Sequence, residues 1–135
     1  MRAEGTFIVK AFNPASLTPG PTITTALPGG VAIIEKQFDG DIAGRSEAVF
    51  TSVFDQATGV GSYVAMESFE GSVDGREGAF SFVHSASTTG SDRAAEYFAI
   101  VPSSGTSQLS GIAGTGGLAI GADGTHHMWL DYELS

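Results

Sequence analysis

One short unit recurs along this chain and constrains its fold more than any other feature. FDGDIAGR over 38–45 returns 31 residues later as FEGSVDGR over 69–76, and a shortened copy, LSGIAG, follows at 109–114. Each copy places an Ile or Val among glycines. Glycine supplies positive φ or close backbone approach, and the branched residue plugs the end of a core. The unit therefore reads as a corner. Between successive copies there is room for two strands. Corners two strands apart in an antiparallel meander lie at the same end, so the intervening turns, at 55–59, 87–92 and Asp123-Gly124, fall at the opposite end. Asp-Gly is also a two-residue hairpin signal.

Runs of alternating apolar and polar residues between these corners predict strands at about 4–12, 31–39, 41–54, 60–70, 76–86, 93–101, 115–121 and 125–134. No segment carries a helical period, and only Thr106–Leu109 suits a single helical turn. The 19 glycines favour many tight turns. Four of the five prolines, Pro14, Pro19, Pro21 and Pro28, mark one long connection over 13–30. The whole chain, 1–135, is one domain. Eight sequential antiparallel strands form either a sandwich or a closed barrel. Closure removes sheet edges and suits an up-and-down order, so a single eight-stranded all-β barrel is expected. Such a barrel has room for side chains or one small ligand. The Gly-rich corners seal one end, and the 13–30 connection is either a lid over a mouth at the other end or an ordinary plug.

Composition excludes several functions. With 6 Lys and Arg against 15 Asp and Glu, the chain lacks the basic footprint that nucleic acids and anionic membranes require. The absence of cysteine removes disulfides, thiolate zinc sites and a Cys nucleophile. The longest purely apolar runs, 31–34 and 98–101, are far too short to cross a bilayer. A cytoplasmic protein is the default, a trimmed export signal being the alternative.

Candidate chemistry centres on the hairpin around 72–75. If those four residues form the loop, Gly71 pairs with Arg76, Glu67 with Phe80 and Tyr63 with His84. One face then collects Tyr63, Glu67, Phe69, Phe80, Phe82 and His84, an aromatic interior wall. His84, Tyr63 and His126 would converge on the mouth, with Glu67 about 13 Å deeper at ~3.3 Å per residue. His84 suits acid–base work near neutral pH. A Glu in apolar surroundings has its pKa raised and can hold a proton. The plainer alternative is that Tyr63 and His84 form a structural hydrogen bond and that Glu67 is satisfied by backbone or by Arg93. His126 and His127 are adjacent on a strand and point to opposite faces, so no metal site is expected. Ser103–Thr106 precedes no helix and is not a phosphate loop. Glu47 would face Glu67 if Phe54 pairs with Val60, giving two carboxylates able to share a proton.

The segments FDGDIAGRSE, YVAMESFEGSVDGREGAFSFVH, VPSSGTSQLSGIAGTGG and HHMWLDYEL together resemble a bacterial domain family of unknown function built on an allene-oxide-cyclase-like barrel, related to the calycins. The resemblance spans Gly5–Leu134. It implies the barrel and no established activity. Related barrels steer ring closure without a cofactor. Met128 departs from the pattern, which has an aromatic there.

The reading that emerges is a barrel with a pocket for a small apolar molecule. It is either a cofactor-independent isomerase or cyclase or a non-catalytic carrier. In the first case His84 and Glu67 move protons and Tyr63 orients the substrate, with Phe69, Phe80, Phe82 and His126 lining the pocket. A structural barrel with a filled interior is the third possibility. Several strands carry apolar residues on both faces, for example Val31 and Ile33 against Ala32 and Ile34, and Val64 and Met66 against Ala65 and Phe69. One set must face outward. This predicts a homodimer, unless the 13–30 connection covers that surface.

Overall fold

The computed structural model covers residues 1–135. Eight strands are present: β1 Arg2–Ala15, β2 Gly29–Gly40, β3 Ile42–Asp55, β4 Val60–Val73, β5 Arg76–Thr89, β6 Arg93–Ile100, β7 Ala113–Ile120 and β8 His126–Glu133. Each pairs antiparallel with its neighbour in sequence, and β8 pairs back onto β1, closing the ring. The one helical element is a 3₁₀ turn, Ser107–Leu109, inside the β6–β7 connection. No helix is long and apolar enough to cross a membrane.

All three corner units lie at one end, as the repeat requires. Their plugs, Ile42, Val73 and Ile112, are fully buried. The turns do not fall at the same point of each copy. In the first copy the chain reverses at Gly40-Asp41. In the second, Gly71 stays within β4 and the reversal comes at Asp74-Gly75, with φ of 50° and 79°. This is a two-residue hairpin, so the register around it differs from the expected one. Val73 pairs with Arg76, Gly71 with Gly78, Glu67 with Phe82, Ala65 with His84 and Tyr63 with Ala86. The displacement is two residues. Because side chains alternate with period two, the expected face survives intact. Asp123-Gly124, in contrast, sits inside a five-residue connection between Ile120 and His126.

Across β3 and β4 the displacement is one residue, and there the outcome changes. Asp55 pairs with Val60, so Glu47 lies opposite Ser68 and Ala48 opposite Glu67. Glu47 faces solvent beside Arg45, and the two carboxylates are not apposed.

The long connection is shorter than its prolines suggested. Asn13, Pro14 and Ala15 still pair with Ile33, Ala32 and Val31. Pro14 is tolerated because β8 reaches only as far as Phe7, leaving β1 an edge beyond that point. Residues 16–28 are exposed apart from partly buried Leu27, so they neither plug the ring nor cover its outer face.

The interior is packed solid at the cornered end and more loosely toward the open end. Phe38, Phe69, Phe80 and Phe82 fill the cornered half with Leu109, Ile112, Met128, Leu130 and Tyr132 in one buried cluster. Met128 is an ordinary member of that core. In the open half the inward alanines Ala32, Ala48, Ala65 and Ala86 alternate with larger groups, and a second, smaller cluster of Ile34, Ala48 and Ala65 packs with Phe50 and Tyr63. Ring geometry sets the wall-to-wall distance, so small residues leave space where large ones close it.

Candidate functional site

The boundary between the solid and open halves carries four buried polar side chains: Lys36, Ser46, Glu67 and His84. Period-two alternation puts each on the inner face of its strand. Lys36 follows Ala32 and Ile34 in phase on β2, and Ser46 precedes Ala48 on β3. Burying an ionised group requires a partner and satisfied hydrogen bonds, and Glu67 has both. Its Oε1 accepts from Lys36 Nζ at 3.0 Å and from His84 Nε2 at 2.8 Å, and its Oε2 accepts from Ser46 Oγ at 2.5 Å. No buried side-chain nitrogen or oxygen lacks a partner.

The chain of contacts continues toward the open end. The Tyr63 hydroxyl lies 2.9 Å from His84 Nδ1, and Arg93 Nη2 donates to that hydroxyl at 3.1 Å. Arg93 Nε donates to Glu96 at 2.7 Å. These contacts select one tautomer for a neutral His84. Nε2 carries the proton, because it faces a carboxylate that is already accepting from Lys36. Nδ1 is then the acceptor for the Tyr63 hydroxyl.

Burial pushes the Glu67 carboxyl up. The His84 hydrogen bond, the Lys36 ammonium and the Ser46 hydroxyl outweigh it and hold the group below its ordinary value of 4.5. This reverses the expectation of a proton-holding Glu67: the surroundings at that depth are not apolar. The partners are also not those anticipated, since Arg93 reaches Tyr63 and not Glu67.

A stability consequence follows with a defined sign. The unfolded chain takes up a proton on Glu67 before the folded chain does. The contribution is therefore complete above the ordinary carboxylate value and is lost as pH falls through the folded one. Urea midpoints of the native chain should drop more steeply below about pH 5 than those of Glu67→Gln. Parallel curves would contradict the ionised, partnered carboxylate.

Above this network lies a cavity of about 210 Å³, where β1 runs on past the end of β8. Phe7, Phe12, Ile34, Phe50, Ala65, Leu118 and Ile120 give it an apolar wall, and Lys36, Tyr63, His84, Arg93 and His126 give it polar points. Tyr63 is stacked on Phe50, which fixes the phenol ring at 5.2 Å between centroids. His84 is mid-strand rather than at a strand end, because β5 runs on to Thr89. His126 lines the cavity against the Phe7 ring and makes no hydrogen bond to the network. Phe69, Phe80 and Phe82 share the inner face with these groups but pack in the solid half, beneath the cavity and not on its wall.

Lys36 and Ser46 escaped the sequence reading. Their signal was parity: each is a polar residue in phase with inward apolar neighbours.

No curated protein matches the chain. A crystal structure at 1.84 Å of a protein with unknown function from the DUF3224 family of Shewanella oneidensis MR-1 is similar to it over 100% of this chain and 98% of that one. The sequence identity is 27% and the TM-score 0.84. The model of the family described as "Protein of unknown function (DUF3224)" matches residues 3–132. This chain, almost end to end, belongs to the DUF3224 family.

Proposed function

We propose that this protein binds a small, largely apolar molecule in the open half of its ring and moves a proton on it without a cofactor, as an isomerase or cyclase of the allene-oxide-cyclase-like class of barrels. The observation that carries the reading is the unbroken contact series Arg93–Tyr63–His84–Glu67, which runs from the cavity into the core. Tyr63 is the group best placed to exchange a proton with a ligand. His84 Nδ1 takes the phenolic proton, and Arg93 steadies the oxygen that loses it. Glu67, already committed to three donors, orients the imidazole and offsets its charge, an arrangement in which a base is held by a third group. The aromatic wall would impose the ligand's folded shape and exclude water.

Mass spectrometry of the native protein from the cells that make it should reveal a retained small molecule. Conversion of that molecule should fail in Tyr63→Phe and His84→Gln while its retention persists. If both variants still convert it, or if neither variant nor native protein converts it, the carrier reading replaces the catalytic one. A filled structural barrel is disfavoured by the cavity of about 210 Å³ above the network.

We further propose a two-fold dimer. Ile33 pairs with Val49, Val49 with Met66, Met66 with Val83 and Val83 with Ala99, so one outward apolar row crosses five strands. Val49 and Met66 are half-exposed, and the row holds no charge. A chain of formal charge −9 can meet its own copy there without opposing like charges. Light scattering should give about twice the monomer mass and Met66→Glu should halve it. A value fixed at 13.8 kDa on concentrating would contradict the dimer.

A further inference from the structure

The cavity wall has a charge pattern unlike the rest of the molecule. The chain carries 6 Lys and Arg against 15 Asp and Glu, yet Lys36 and Arg93 both line this one small space and no Asp or Glu does. Each cation is paired with a carboxylate that does not line the space, one buried and one half-exposed. Glu67 sits on the core side of Lys36, and Glu96 takes Arg93 Nε. Tyr63, His84 and His126 add hydrogen-bonding groups to the same surface. Arg93 uses Nε for Glu96 and one Nη2 proton for Tyr63, which leaves guanidinium N–H groups to offer a ligand. Lys36 gives one hydrogen bond to Glu67 and rests 4.7 Å from the centroid of the Phe7 ring.

Two cations on one half-open wall favour an anion, because a cleft lined by one sign of charge focuses the field. Arg is the side chain suited to a planar carboxylate, which its donor fork can meet with two parallel bonds. The remainder of the wall, with Phe7, Phe12, Ile34, Phe50, Leu118 and Ile120, demands an apolar body. The volume, about 210 Å³, is below the ~300–1,000 Å³ of sites for drug-sized compounds. A single ring or short branched chain fills that space, which adjoins a cleft of about 550 Å³ that shares Phe12, Phe50 and Tyr63 with it.

We infer that the ligand is a compact carboxylic acid, bound as its anion with the carboxylate at Arg93 and its apolar body against the Phe7, Phe12 and Phe50 side of the cavity. The inference rests on the binding site proposed above and specifies its chemistry.

Amide and methyl NMR of the full chain, titrated separately with phenylacetate and with the neutral phenylacetamide, tests it. Phenylacetate should shift signals from Tyr63, His84, Arg93 and Leu118 and bind at least ~10-fold more tightly than the amide, a difference of about 1.4 kcal/mol. Arg93→Gln should erase that preference, and Arg93→Lys should keep part of it. The spectra of the variants themselves report whether the fold is intact. Equal affinity for the two probes at these residues would overturn the carboxylate assignment and leave the binding site standing. If neither probe shifts these residues at millimolar concentration, the binding site falls with it.

Discussion

Glu67→Ala is expected to cost the fold about 3–5 kcal/mol, the range for breaking a buried ion pair by removing one partner. The loss is large because Lys36 is left without its carboxylate. Its side chain is only 7% exposed, and its ammonium lies between Glu67 and the Phe7 ring. His84 Nε2 and Ser46 Oγ lose their acceptor in the same stroke. Against a total stability of ~5–15 kcal/mol for a domain, such a loss brings the chain close to unfolding at ambient temperature. The double variant Lys36→Met/Glu67→Leu should recover more than half of the deficit, since replacing both charges with apolar groups of similar shape is often neutral. Urea unfolding of both variants provides the test. If Glu67→Ala costs less than about 1 kcal/mol, the network contributes no more than an exposed ion pair would.

The second large effect is expected at the cornered end. Gly44 on β3 and Gly71 on β4 face each other with φ of 145° and 150°. Their backbones approach so closely that a Cβ on Gly44 would meet the Glu70 carbonyl oxygen and come within 2.8 Å of Gly71 Cα. A Cβ on Gly71 would meet the Ala43 carbonyl and come within 2.8 Å of Gly44 Cα. The obstacle in each case is backbone, which has no rotamer to yield. Strain at such φ and overpacking each cost roughly 1–3 kcal/mol, so Gly44→Ala or Gly71→Ala should destabilise by about 3 kcal/mol or more. Gly75→Ala is the control: nothing lies within 4 Å of its added Cβ, and only its φ of 79° resists. Thermal unfolding should rank Gly75→Ala clearly milder. The opposite order would mean that the β3–β4 contact is looser than described.

The same residues explain how far the fold could be read in advance. The corner repeat and period-two alternation are local signals, and they delivered eight strands, their order, the shared end of the corners and the buried plugs Ile42 and Val73. Register is a non-local property, decided by which turn forms. Asp74-Gly75 is the two-residue turn of the set, while Asp123-Gly124, with the same dipeptide, sits in a longer loop. A two-residue displacement was harmless to the inner face at β4–β5, but a one-residue displacement at β3–β4 removed the Glu47–Glu67 pairing. The looser packing of one half was also written in the sequence, as alanines at some of its inward positions. Their meaning appears only once the ring sets Ala32, Ala48, Ala65 and Ala86 among the cross-strand rows of its open half.

The site was legible in part for the same reason. Tyr63, Glu67 and His84 share a face by parity and do converge, and the Tyr63–His84 hydrogen bond follows from that. The protonation state of Glu67 did not follow, because it depends on Lys36 and Ser46 from strands whose register was unknown. A carboxylate alone among phenylalanines would hold its proton, whereas one that accepts from an ammonium, an imidazole and a hydroxyl gives it up.

The most direct measurement is the ¹⁵N spectrum of the His84 imidazole at about pH 8, where a histidine is ordinarily neutral. The arrangement of Glu67, His84 and Tyr63 predicts a proton on Nε2 and a bare, hydrogen-bonded Nδ1, with the Nδ1 signal moving when Tyr63 is replaced by phenylalanine. A proton on Nδ1, or an Nδ1 signal indifferent to Tyr63→Phe, would contradict a base directed at the cavity and oriented by a buried carboxylate.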